Sequence, residues 1–209
     1  MPLIRIILIA MFLTASHRLL PLPFSDTIRT ALFAIIIFLS GIDKNFHLNI
    51  TFIRRLAPLL LTLLLTLLID IAFGRFGFFS ALIWVQFISA ILVANTLYNM
   101  PPGDMRKIII CATAILILQF FYMTLLPSHF AAMARKLGIA DSFVTYGTKI
   151  TRIYYAYFNA NSAAYSIWFL FLSWFAVNIR TRKSKFQYFG ISGLLIVLAI
   201  LTGGRGVIL

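Results

Sequence analysis

Acidic side chains are nearly absent from this chain. Its 209 residues include five, against 18 Lys and Arg, for a formal net charge of +13. All five are Asp, at positions 26, 43, 70, 104 and 141, and none forms an Asp-x-Asp pair. The usual carboxylate clamp for a metal-bound nucleotide sugar is therefore missing. Cys111 is the single cysteine, which excludes a disulfide framework and a cysteine-held metal cluster. No Walker-type phosphate loop is present, which argues against an ATP-driven pump. The three histidines, His17, His47 and His129, are isolated and read as ordinary loop residues. Charged residues make up 11% of the chain, where a soluble domain carries about a quarter. A water-soluble globule is excluded.

Apolar residues fill the difference. They account for 62% of the chain, and the mean hydropathy is +1.00. They come in runs: Leu3 to Ala15, Thr27 to Ile42, Leu56 to Phe73, Phe78 to Leu97, Ile108 to Leu126, Asn161 to Asn178 and Phe186 to Leu201. Val207 opens another. Runs of this kind read as membrane-spanning helices. The expected fold is all-α, a polytopic transmembrane helical bundle of about seven spans with the start of an eighth. No repeat or low-complexity linker divides it, so residues 1–209 form one transmembrane domain. His17-Arg18 follows the first run in place of a small-x-small cleavage site, so that run reads as a span.

The connectors carry the charge. In a soluble protein this basic excess would point to nucleic acid. Between apolar runs it points to anionic lipid head groups, and no nucleic-acid partner is expected. The segment 127–152 is the longest polar connector. Within it Phe130, Met133, Ala134 and Leu137 share one helical face, with Arg135 and Lys136 off it and Ser128 as a cap. That pattern predicts an interfacial amphipathic helix on the outer surface. Arg180, Arg182, Lys183 and Lys185 crowd a short connector, which the positive-inside rule makes cytoplasmic. Alternation then puts the amino terminus in the cytoplasm and leaves Arg18, Arg29, Arg75, Arg135, Lys136, Lys149, Arg152 and Arg205 outside. Such a basic outer face suits the recruitment of an anion.

Single polar residues inside runs have simpler readings. Asp70 lies about a turn from its span's end and reaches water or head groups, and Gln86 and Asn95 bond neighbouring helices. The informative stretch is 152–206. Arg152, Asn159 and Asn161 precede one run; Thr202-Gly203-Gly204-Arg205-Gly206 ends the next. Two spans return the chain to the side it left, so both groups should face the same side. Arginine offers a permanent charge and a planar fork of donors matched to phosphate oxygens. Flanking glycines let the backbone approach a ligand and donate from successive N–H groups. The simpler reading of this turn is a tight loop with one snorkelling cation.

An Asn-x-Asn entering one helix, a basic loop, a second helix and Thr-Gly-Gly-Arg-Gly resembles the O-antigen ligase/polymerase family of polytopic bacterial membrane glycosyltransferases. The motif match covers about the last quarter of the chain. Gly204 stands where the family usually has Ser, and Ala160 where it often has Pro. The resemblance implies transfer of a glycan from an undecaprenyl diphosphate carrier to an acceptor glycan or lipid, outside the bacterial inner membrane. It implies that Arg152 and Arg205 hold the diphosphate, helped by Gly204 and Gly206, and that Asn159 and Asn161 orient helix ends or bind a sugar hydroxyl. No metal or cofactor is then required. In this family a large outer loop bearing a histidine follows the Arg-Gly motif. The chain stops at Leu209, and it reads as an amino-terminal fragment or a truncated frame, without assigned catalytic residues and without transferase activity by itself. A polytopic transporter or lipid-linked glycan flippase is the alternative.

Overall fold

The structure is a computed structural model that describes residues 2–20, 26–40, 50–75, 77–136, 145–146, 149–150, 160–181 and 185–202. It is all-helical apart from one very short hairpin. The helices are α1 (Leu3–Leu13), α2 (Asp26–Leu39), α3 (Ile50–Ala72), α4 (Phe78–Tyr98), α5 (Pro102–Leu125), α6 (Pro127–Lys136), α7 (Ala160–Thr181) and α8 (Lys185–Leu201). A 3-10 turn, Ser16–Leu19, follows α1. Strands β1 (Thr145–Tyr146) and β2 (Lys149–Ile150) pair antiparallel, with Thr145 opposite Ile150. Among the described residues, each of the seven longer apolar runs coincides for most of its length with a helix. Two of these, α3 and α5, are long and apolar enough to cross a membrane. At 23 and 24 residues they are each about 35 Å long, against a hydrocarbon core of about 30 Å.

Local chemistry sets several boundaries. Helix α3 begins at Ile50, six residues before the apolar run that opens at Leu56, so Arg54 and Arg55 are helical. Arginine is a good helix former, and charge alone does not mark a loop. Pro58 lies inside this helix, and Thr62 Oγ1 donates to its carbonyl at 2.9 Å. Gly74 ends it in a left-handed conformation at φ 63°. Its N–H reaches the carbonyl of Ile71 at 3.1 Å, and that of Arg75 reaches Asp70 at 2.8 Å, which completes a Schellman stop. Pro102 takes the first position of α5, where its missing N–H costs nothing. Helix α6 starts at Pro127, which puts Ser128 inside the first turn and not at the cap. Phe130 of α6 is buried, as its amphipathic pattern requires.

The chain forms two compact units, residues 1–29 with 101–209, and residues 30–100. In the first, α5 is the central helix and packs on α1, α6, α7 and α8, while α7 and α8 pack on each other. Its core joins Ala10, Ile109, Ala112, Leu116, Ala163, Ile167, Leu170, Trp174, Leu195 and Leu198. Small residues, Ala10, Ala112 and Ala163, let the helices approach closely. Arg106, near the start of α5, stacks on Trp174 in the later part of α7 at 5.5 Å and donates through Nη2 to Gln187 Oε1 at the start of α8. Trp174 Nε1 donates to the Tyr188 carbonyl at 3.2 Å. These contacts fix directions: α5 and α8 run together, and α7 runs against both. The start of α7 and the end of α8 therefore share the end of the unit where α5 finishes.

The second unit contains α3 and α4, with Phe52 and Tyr98 in ring contact at 5.1 Å. Only 6% of the apolar stretch of α3 is buried. Ser89, Val93, Asn95 and Thr96 of α4 are buried. Ser89 and Thr96 turn their hydroxyls back to helix carbonyls at 2.7 and 3.0 Å. Among the described residues no group bonds either amide atom of Asn95, contrary to the helix-bridging role its sequence position predicts.

Candidate functional site

The end of the first unit where α5 finishes collects its polar side chains. Helix α1 closes on Thr14, whose Oγ1 bonds back to the Ala10 carbonyl at 2.8 Å. Ala15 then takes a left-handed conformation, φ 54° and ψ 12°, which costs a non-glycine residue about 1–2 kcal/mol. The sharp corner brings Ser16 Oγ within 2.7 Å of Thr14 Oγ1. Gln119, buried on α5, donates through Nε2 to Ser16 Oγ at 2.6 Å and to the Thr14 carbonyl at 3.3 Å. The strain at Ala15 is thus held by a buried polar network that spans 103 residues of sequence.

Two cations and an imidazole complete this corner. His17 is buried, its ring stacked on Phe12 at 5.2 Å with 13° between planes. Its Nδ1 lies 3.4 Å from the Met11 carbonyl. Burial, reinforced by the charges of Arg18 and Arg29, lowers its pKa from 6.5 to about 4, so it is neutral at physiological pH. Arg29, in the first turns of α2, is also buried and donates through Nη1 to the carbonyls of Arg18 and Leu20 at 3.2 and 3.4 Å. It ties the start of α2 to the turn that carries Arg18, which is half-buried. One helical turn beyond Gln119, Tyr122 pairs its hydroxyl with His129 Nδ1 of α6 at 2.6 Å. The sequence reading of His17 as an ordinary loop residue is corrected: a tight turn buries it.

Beside the corner is a groove of about 200 Å³ lined by Leu13, Tyr165, Ser166, Phe169 and Leu170, between the end of α1 and the first half of α7. Among the described residues no three His, Cys, Asp or Glu side chains gather as a metal site.

Of the residues the sequence singles out, Asn161 is the second residue of α7. Arg152, Asn159, Gly204, Arg205 and Gly206 lie outside the described residues. The helix ends to which they are joined are described. Ala160 opens α7, and buried Thr202, whose Oγ1 donates to the Ala199 carbonyl at 2.7 Å, follows α8. Both ends belong to the end of the unit that carries Gln119 and the α1 corner. Gln119, Ser16 and Thr14 escape sequence reasoning, which counts Arg29 only among the basic residues of the outer face. The available signal was Gln119 as the sole amide in its run, together with polar Thr14, Ser16 and His17 directly after α1. No protein-family model, curated protein or solved structure matches the chain.

Proposed function

We propose that this chain is an O-antigen ligase/polymerase-like protein of the bacterial inner membrane, which presents a basic outer end to an undecaprenyl diphosphate-linked glycan. The membrane seat is supported by exposed apolar helices. Leu59, Leu61, Leu64, Leu65, Leu68 and Ile69 of α3 are all exposed, and water would not tolerate so large a patch. Helix α7 supports the same reading. It buries Ala163, Ala164, Ile167, Leu170 and Trp174 on one face and exposes Tyr165, Trp168, Phe169, Leu172 and Phe175 on the other. A helix that is apolar on all sides belongs in lipid.

The glycan-transfer reading is carried by one observation: the antiparallel α7–α8 pair. Its described ends, Ala160 at the start of α7 and Thr202 after α8, lie at the same end of the unit, and in sequence each adjoins one of the two motifs. In this reading Arg152 and Arg205 bind the diphosphate oxygens and offset the charge that grows as the sugar–phosphate bond breaks. The acceptor hydroxyl oxygen bonds to the anomeric carbon and gives its proton to water, while the sugar–phosphate bond breaks and its electron pair leaves with the carrier diphosphate. Asn159 and Asn161 orient the sugar, and Gly204 and Gly206 admit the phosphate to backbone N–H groups. The guanidinium groups take the electrostatic role a metal plays elsewhere.

The test is binding of undecaprenyl diphosphate to the chain in lipid nanodiscs, with Arg205, Arg205→Lys and Arg205→Ala at matched abundance. Loss of a charged hydrogen bond in a partly dehydrated site weakens binding about tenfold to a hundredfold. Lysine should restore only part, because it lacks the bidentate fork. Unchanged binding by Arg205→Ala would reduce Arg205 to an interfacial anchor and refute the proposal.

A further inference from the structure

We infer that the groove between α1 and α7 seats one acyl chain of an anionic phospholipid, with the phosphate drawn to Arg18. This rests on the membrane location alone and not on the glycan-transfer reading. The groove holds about 200 Å³, less than the several hundred usual for a whole small-molecule ligand, and it is lined by Leu13, Phe169, Leu170, Tyr165 and the Ser166 hydroxyl. A bare length of hydrocarbon suits that size and lining. A sugar or a nucleotide would leave its polar groups unmet. The rim residues Tyr165 and Phe169 are more than half exposed, and they continue into the exposed ridge of Trp168, Leu172 and Phe175. The groove is therefore open on the side that this reading gives to lipid.

Charge selects the head group. Leu13 is the last residue of α1, and the corner that carries Arg18 follows it directly. Arg29 adds a second positive charge at that corner, since its Nη1 lies 3.2 Å from the Arg18 carbonyl. A chain entering beside Leu13 has its polar end toward the corner that carries Arg18, five residues on, with the Arg29 guanidinium against the Arg18 carbonyl. A zwitterionic lipid gains little from that field, whereas an anionic one gains about fivefold per basic residue near the surface.

The experiment reconstitutes the full chain into nanodiscs of phosphatidylglycerol and phosphatidylcholine at equal amounts, transfers it to mild detergent and identifies the retained lipid by native mass spectrometry. Phosphatidylglycerol should be retained about fivefold or more over phosphatidylcholine. Arg18→Gln should lower that preference about fivefold while leaving chain retention. Ser166→Trp, which fills the groove, should remove retention of both lipids. Leu13→Phe, a milder narrowing, should lower it severalfold even if Ser166→Trp fails to fold. Equal retention of the two lipids, undiminished preference in Arg18→Gln, or undiminished retention in Leu13→Phe would each overturn the assignment. So would preferential retention of an added polyprenyl phosphate, which would make the occupant an isoprenoid. This inference is read from phospholipid retention in variants of Leu13, Ser166 and Arg18, and the glycan-transfer reading from undecaprenyl diphosphate binding in variants of Arg205, so the two fail separately.

Discussion

Acidification should loosen the corner between α1 and α5 through a single imidazole. His17 is buried against Phe12, with Arg18 and Arg29 nearby, and its pKa falls from 6.5 to about 4. In the unfolded chain the imidazole protonates near 6.5, so at lower pH the unfolded state binds a proton that the folded state refuses. The stabilisation from neutral burial is fully present above pH 6.5. It is lost as pH falls from 6.5 toward 4 and is constant below that. The full loss is about 3 kcal/mol, and the part between about pH 7.5 and pH 5 is about 2 kcal/mol. The measurement is denaturant unfolding in micelles at several pH values, for the parent and for His17→Phe. The phenyl ring keeps the stack on Phe12 and has nothing to titrate. Subtracting the two curves cancels every other titrating group common to both proteins. The parent should lose about 2 kcal/mol relative to His17→Phe over that interval. A difference that stays flat with pH would show that His17 reaches water in the folded protein, and the burial argument would fail.

Two further perturbations probe the packing of the same unit. Gln119→Leu should cost about 1–2 kcal/mol, because it leaves the Thr14 carbonyl without its donor, and a double-mutant cycle with Ser16→Ala should show a coupling of about 0.6–1 kcal/mol. Zero coupling would deny the bond between Gln119 and Ser16. At the opposite end, Trp174→Phe removes both the indole donor to the Tyr188 carbonyl and the better aromatic face for Arg106, and it should cost about 1–2 kcal/mol. Wild-type unfolding behaviour in that variant would mean that Arg106 gains nothing from the stack.

The positions of the helices were legible because apolar runs and breakers are local signals. Leu56 to Phe73 falls within or next to α3, and Gly74 stops that helix as an L-residue would not do without strain. The start of α3 was not legible. Arg54 and Arg55 carry charge that resembles a loop, yet a helix extends past its apolar part at little cost when its flanking residues are good formers. The hairpin of Thr145–Tyr146 with Lys149–Ile150 is too short for an alternating pattern to register. The corner was invisible for a different reason. Nothing near Gln119 in sequence announces Ser16, because which helix faces which is decided by the packing of the whole unit. Asn95 shows the converse. Its position in a helix predicts a bridging amide, and its burial with no partner among the described residues belongs to the arrangement of unit two. For the proposed donor site only the helix ends can be read from the fold, with Asn161 at the start of α7.

The bond from Gln119 to Ser16 also sets an order of events during synthesis. Ser16 leaves the ribosome 103 residues before its partner. At about 5–20 residues per second the interval is about 5–20 s, far longer than a helix takes to form. For that time only the local contact of Thr14 with Ser16 holds the left-handed turn at Ala15, and the Thr14 carbonyl must find water or a head group. The corner that ends α1 is thus completed late, when α5 arrives beside it. Until then the first helix of the chain is a guest awaiting its fifth.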